Sequence, residues 1–323
     1  MSKMRAVVQN EFGGPEVLTL IHDAPIPEPI PTEVQVRVSH VGVNPVDGKT
    51  RGGASVAKLM GAFPVTVGWD IAGEVSALGN GVNRFALGDR VFGMPRFPYP
   101  ANGYAEFVTS PSRHLVRIPD SLDSATAASI PLPATTAYQI VHEAADVRSG
   151  QSVLVLGSGG TVGTYVVQMA KKLGATVIGH ATGEKLKHLE SLGVDRVIDY
   201  VSEEFDEPNL GAGGLSDVDI VIDLIGGEFA LRAVPLTKPD GIVVGVPSGQ
   251  QQGLDAVAAQ AGVRWTNVIV EPDHVALEYV AELIETGELH VPAPATAPLE
   301  DVVEVHRQMD DGHLSKTVLT VTV

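Results

Sequence analysis

The feature that most constrains this chain is the stretch Val153 to Lys185, VLVLGSGGTVGTYVVQMAKKLGATVIGHATGEK. An apolar run, a turn carrying Gly157, Gly160 and Gly163, an amphipathic run and a second apolar run predict strand, turn, helix and strand. Small residues let the backbone approach a pyrophosphate, and the open N–H groups at the helix start supply positive potential for it. Ser158, Gly160, Thr161, Val162 and Gly163 are therefore the expected phosphate contacts. The competing account is a tight βα turn whose glycines serve packing alone. The complete βαβ context weighs against it.

The other end of the same stretch bears on which nucleotide is held. In an NAD site an Asp or Glu about 20 residues beyond the turn accepts the ribose hydroxyls. Here the second strand ends in His180, Ala181 and Thr182, followed by Lys185, with no acid among them. A carboxylate repels a 2′-phosphate, whereas a hydroxyl and an ammonium hold one. NADPH is the expected cofactor, with Thr182 and Lys185 as contacts. The plainer alternatives are a helix-capping threonine, a solvated lysine and a strand-end histidine.

The chain around this unit has two textures. Up to about residue 120, short strands such as EVQVRVSHVGV and DIAGEVSALG are cut by Gly and Pro, the pattern of a compact all-β barrel or sandwich. From about Ser121 apolar strands alternate with helical segments as far as DGIVVGV and RWTNVIV, which implies a doubly wound parallel sheet. Two further helical segments and a terminal strand, KTVLTVTV, follow, and that strand needs a sheet to join. The expected domains are 1–122 with 272–323, and 123–271. Segments 211–214 and 250–253 are expected to be ordinary connections.

Composition excludes some classes of function. Lys plus Arg number 22 against 39 Asp plus Glu, a formal charge of −17, which repels nucleic acid and anionic lipid. The N-terminal segment has no apolar core with a cleavage site, and no run of about 18 apolar residues occurs, so a cytoplasmic protein is expected. The chain has no cysteine, hence no thiolate nucleophile and no Cys-ligated zinc.

The segments GVNPVDGKTRGG, PVTVGWDIAGEVSALGNGVNRFALGDRVFG, GYAEFV, AASIPLPATTAY, LGVDRVIDY, VDIVIDLIGG and GHLSKTVL occur together with the glycine turn in one order. In this the chain resembles the zinc-independent NADPH:quinone oxidoreductase (zeta-crystallin-like) group of the medium-chain dehydrogenase/reductase superfamily. The resemblance spans nearly the whole sequence. It implies an α/β protein with a GroES-like β-barrel domain for substrate and a Rossmann doubly wound parallel-sheet domain for NADPH. It also implies return of the C-terminus to the first domain, and homodimers.

Zinc-holding members of the superfamily carry ligands where this chain has Asn44 and Trp69, neither a normal zinc ligand. Metal-free hydride transfer suits quinones, and also enones or alkenals, because these spread the incoming charge over a conjugated system, whereas a simple ketone builds a localised alkoxide. By resemblance Asn44 stands at the nicotinamide and substrate oxygen as the catalytic hydrogen-bond donor, with a plain turn before Pro45 as the competing account. Thr136 and Tyr200 are implied cofactor contacts toward the ribose or phosphate and the adenosine, Ile225 toward the ribose, and Gly245 and Val246 toward the nicotinamide amide. Burial in helix or strand is the alternative for each. Asp223 is expected to be a satisfied structural carboxylate, and Lys316 is left without a role. Tyrosines common after the Asn in this group are replaced by Lys49 and Thr50, with Tyr99 and Tyr104 as candidate substitutes. Enone or alkenal double-bond reduction, and NADPH binding without catalysis, are the alternative functions.

Overall fold

The structure, a computed structural model, describes residues 3–201, 217–246 and 253–321. The expected connections 211–214 and 250–252 lie outside them. The chain divides into two units, Met1–Thr135 with Val270–Val323, and Thr136–Ile269.

The first unit begins with β1 (Lys3–Val8) and β2 (Thr19–Pro25), paired antiparallel. It continues through β3 (Glu33–Gly42), α1 (Pro45–Arg51), β4 (Asp70–Leu78), β5 (Arg90–Gly93), β6 (Phe107–Pro111) and β7 (Leu115–Arg117). β3 places Val34, Val36 and Val38 on one face, all fully buried, and their period of two against Gln35 and Arg37 is why this segment is a half-buried strand. Next come α2 (Ser124–Ala128) and α3 (Pro131–Tyr138). The Asp123 carboxylate caps α2 by accepting from the Thr126 N–H at 2.9 Å.

Unit two is a βα alternation: β8 (Ser152–Leu156), α4 (Thr161–Lys172), β9 (Thr176–Ala181), α5 (Glu184–Ser191), β10 (Arg196–Asp199), β11 (Val218–Asp223), α6 (Phe229–Ala233), β12 (Thr237–Gly245), α7 (Leu254–Ala261) and β13 (Arg264–Asn267). All pairs in its six-stranded sheet are parallel, in the order β10-β9-β8-β11-β12-β13. The direction of winding reverses between β8 and β11, the switch point beside which such sheets bind ligands. Val153 to Leu156 are fully buried, as strands covered on both faces must be. α4 lays Tyr165, Val166, Val167, Met169 and Ala170 on the sheet and ends in Lys171 and Lys172, which oppose its dipole.

The chain then returns to the first unit with α8 (His274–Glu285), β14 (Ala295–Pro298), α9 (Val302–Asp310) and β15 (Thr317–Thr320). β15 pairs antiparallel with β3, so the terminal strand finds its sheet in the N-terminal unit. The seven-stranded sheet runs β14-β15-β3-β4-β5-β7, with β6 on β3. The division falls after Thr135 rather than at 122/123, because α2 packs on β3, β4 and β5. Gly42 shows how close that packing is: a Cβ there would lie 2.2 Å from the Ala128 carbonyl oxygen.

Candidate functional site

In the second unit the predicted residues gather at the carboxyl ends of the parallel strands. Gly157 ends β8 with φ +78°, a left-handed backbone that glycine adopts without cost. A Cβ on Gly163 would stand 2.5 Å from the Gly157 carbonyl oxygen and 2.6 Å from the Ser158 Cα, so this glycine lets α4 sit tight on the turn. Gly160 is the N-cap of α4 and Thr161 and Val162 are its first two residues. The Thr161 and Val162 N–H groups precede any intrahelical acceptor, as an anion site requires, whereas the Gly160 N–H already donates to the Gly157 carbonyl at 3.0 Å.

Ser158 departs from expectation. Its side chain is fully buried, and its hydroxyl donates to the His180 carbonyl at 3.0 Å and accepts from the His180 N–H at 2.8 Å. The hydroxyl therefore locks the turn to β9, leaving only the backbone of this residue for a phosphate.

Lys185, exposed in the first turn of α5, lies beside the same turn: a Cβ on Gly159 would meet the Lys185 Cβ and Cδ at 2.8 Å. The absent side chain of Gly159 makes room for the lysine stem. Thr182 is half-buried at the end of β9, and Gly183, not Thr182, is the N-cap of α5. The half-exposed Tyr200 ring is tilted against the buried His180 ring at 5.0 Å between centroids. Burial, reinforced by the Arg232 charge, pushes His180 down to about 4, so the imidazole is neutral.

Ile225 follows β11, the neighbour of β8, and a Cβ on Gly157 would touch its Cγ1 at 3.0 Å. Asp223 is a buried carboxylate whose Oδ1 accepts the Ile225 and Gly226 N–H groups at 3.0 Å each, the structural use expected of it. Gly245 ends β12, and the Val246 N–H donates to the Asp223 carbonyl at 3.3 Å. Thr136 is buried in α3.

In the first unit Asn44 starts α1. Its N–H donates to Asp47 Oδ2 at 2.7 Å, while the Asp47 N–H returns to the Asn44 carbonyl at 2.9 Å, so VNPVDG is the turn its sequence suggests. The Asn44 amide also has partners. Nδ2 donates to Asp70 Oδ2 at 2.8 Å and Oδ1 accepts from Lys316 Nζ at 2.7 Å. Asp70 Oδ1 further accepts the Leu132 N–H at 2.8 Å. Sequence reasoning left Asp47, Asp70 and Lys316 without a functional role. The available signal was one charged residue in each of three otherwise apolar or turn-like segments, VNPVDG, VGWDIAG and HLSKTVL.

Behind Asp47 runs a buried row. Tyr104 Oη lies 3.3 Å from Asp47 Oδ2 and 3.0 Å from His306 Nε2. His306 Nδ1 is 2.9 Å from Arg51 Nη1, and the Arg51 guanidinium also pairs with Asp310. Arg51 can only donate, so His306 Nδ1 accepts, Nε2–H donates to Tyr104, and Tyr104 donates to Asp47. Burial, helped by Arg51, pushes His306 down to about 3, in keeping with a neutral ring. Burial raises Asp47 to about 7 and Asp70 to about 6 against hydrogen bonds that lower them. Tyr104 is thus a buried link and not a stand-in for the missing tyrosines, while Tyr99 is exposed and gives its carbonyl to Trp69 Nε1 at 2.8 Å. Trp69 is fully buried, packed edge-on to Phe97.

Among the described residues no group of three or more His, Cys, Asp and Glu is placed to hold a metal ion, and no helix is long and apolar enough to cross a membrane.

Known proteins match both units. The alcohol dehydrogenase GroES-like domain family matches residues 30–120, and the zinc-binding dehydrogenase family matches residues 192–318. The human quinone oxidoreductase is 31% identical over 316 residues, covering 96% of this chain and 94% of its own. The solved quinone oxidoreductase of Coxiella burnetii superposes with a TM-score of 0.91 at 32% identity, covering 99% of this chain and 100% of that one. A mycobacterial protein solved in complex with NADPH superposes at 0.83 with 28% identity, over 99% of this chain and 100% of its own. With the glycine turn at the switch point of a parallel sheet and a β unit closed by its own C-terminal strand, these matches show that the chain is an oxidoreductase and belongs to the zeta-crystallin-like quinone oxidoreductase family of the medium-chain dehydrogenases/reductases.

Proposed function

We propose that the protein is a metal-free, NADPH-dependent reductase of quinones. The observation that carries the reading is the Asn44 corner: where a metal would need open donors, the Asn44 oxygen is taken by the Lys316 ammonium and the Asp70 carboxylate by Asn44 and the Leu132 N–H. Trp69 is packed in the core. These residues do not fit a bound zinc ion, whose site would be closed by a cation already in place.

The residues fit NADPH, which when bound supplies the hydride. The Gly157 to Gly163 turn and the first N–H groups of α4 would hold the pyrophosphate. Thr182 and Lys185 would hold the 2′-phosphate, supported by the position of the lysine stem over Gly159 and by the lack of an acid at the end of β9. The second Nδ2 hydrogen of Asn44 is available to an acceptor oxygen on which negative charge develops. A conjugated quinone suits this corner because its charge is delocalised and needs no Lewis acid. The family resemblance supports a homodimer, the charge of −17 supports a protein with no affinity for nucleic acid or anionic membrane, and the lack of a long apolar run supports a cytoplasmic one.

The test is oxidation of NADPH and of NADH by the pure protein with quinones, alkenals, cyclic enones and simple ketones. Turnover of quinones with preference for NADPH is expected. Preference for NADH would overturn the role of Thr182 and Lys185, turnover of ketones but not quinones would overturn the metal-free reading, and binding without turnover would make the protein a non-catalytic one.

A further inference from the structure

The charged corner of the first unit has one outlet. Asp47 and Asp70 are fully buried and Asn44 is 4% exposed, whereas the Lys316 side chain keeps 16% of its surface in solvent. Its ammonium has three N–H donors. One goes to Asn44 Oδ1 at 2.7 Å and one to the Val43 carbonyl at 3.2 Å, while Asp70 Oδ2, at 3.9 Å, is too far to accept a hydrogen bond. Among the described residues the third N–H has no acceptor within reach. An ammonium with one open donor therefore stands against the oxygen of the very amide that the proposed reaction places beside the acceptor.

The titratable groups facing it are Asp70 and Asp47, with Tyr104, His306 and Arg51 behind Asp47. Burial lowers the Lys316 ammonium from its ordinary value, and the two carboxylates work against that by raising it. Burial favours the neutral amine and the carboxylates the ammonium, so the group can both give up and regain a proton, as a general acid requires.

We propose that Lys316 is the proton donor of the reduction, a step that rests on the quinone reductase reading above. Hydride transfer to the quinone adds two electrons and one hydrogen nucleus, leaving a hydroquinone oxygen with a negative charge. A Lys316 Nζ–H bond breaks as the O–H bond forms, and the lysine is left as a neutral amine. It regains its proton from water at its exposed edge, where Asp70 and Asp47 favour the recharged ammonium.

The absence of cysteine from the chain makes a clean test possible. Lys316→Cys followed by 2-bromoethylamine rebuilds an amine of nearly lysine length at this one position, and Lys316→Arg keeps the charge but releases no proton at neutral pH. With 1,4-naphthoquinone as acceptor, both variants should lose about 100-fold in kcat, measured well below their own unfolding midpoints and with NADPH binding retained. Alkylation of the Cys variant should recover at least a tenth of wild-type kcat, with the basic limb of the pH profile moved to lower pH because the new amine is more acidic. If the Arg variant matches wild type, or the alkylated enzyme stays as slow as its parent, the proposal is overturned while the quinone reading stands. If wild type turns over no acceptor, that reading falls and this one with it.

Discussion

Ser158 offers a direct test of how the glycine turn is built. Ser158→Ala removes one hydroxyl that both donates to the His180 carbonyl and accepts from the His180 N–H, at 3.0 and 2.8 Å, inside fully buried surroundings. The stranded N–H has no water to turn to, and a buried unsatisfied group costs about 1–3 kcal/mol. The carbonyl has a second lone pair and costs less, so the substitution should destabilise the nucleotide unit by about 2–4 kcal/mol. At about 2–4 °C per kcal/mol, the unfolding midpoint should fall by about 4–16 °C. Thermal unfolding followed by circular dichroism measures this, and amide exchange at His180 should accelerate in parallel. NADPH affinity, titrated well below the new midpoint, should change by less than about threefold, because a hydroxyl turned toward β9 has no bond to give a phosphate. The opposite pattern, an unchanged midpoint with affinity lost tenfold or more, would refute this reasoning and return Ser158 to the phosphate contacts.

Two further predictions concern charge. Lys185→Ala should raise KM for NADPH about tenfold while leaving KM for NADH nearly unchanged, since only the 2′-phosphate distinguishes them; equal effects on both would mean that the lysine only packs on Gly159. Asp47, raised to about 7 by burial, holds its proton in the folded state through a range where the unfolded chain has lost it, so folding stability falls as pH rises from about 4 to about 7. Asp70 acts in the same sense up to about 6, and His306, lowered to about 3, acts oppositely below about 6.5. In denaturant midpoints taken from pH 4 to pH 8, Asp47→Asn should gain on wild type across that window and run parallel to it above pH 7, and a constant difference at every pH would show that Asp47 does not titrate there.

Much of the first-order picture is legible in local pattern. Period-two valines in Glu33 to Gly42, four successive buried residues in Val153 to Leu156 and the amphipathic run after Gly160 determine strand, buried strand and helix, because each reflects which faces an element must cover. Gly157 and Gly163 are readable as well, since a left-handed turn and a 2.5 Å approach leave room for no other residue. The lack of an acid at the end of β9, in His180, Ala181 and Thr182, needs only counting.

Whether a polar side chain faces a ligand or a neighbour, by contrast, was decided by the tertiary structure. Ser158 sits in a phosphate-binding pattern, yet its hydroxyl bonds to a strand 22 residues away. Asn44 reads as a turn residue and, by resemblance, as a donor to substrate; the fold makes the turn and turns one amide N–H to Asp70. Lys316 carries only the local signal of a lone charge at the start of an apolar strand. Its meaning comes from β15 pairing with β3, which brings a residue 272 positions distant to 2.7 Å from the Asn44 amide. Sequence by itself determined the elements and the nucleotide turn, because backbone geometry and the burial of apolar faces are near-neighbour effects. Only the tertiary structure assembled the Asn44, Asp47, Asp70 and Lys316 corner, because a buried charge takes its properties from whatever partners the fold delivers to it.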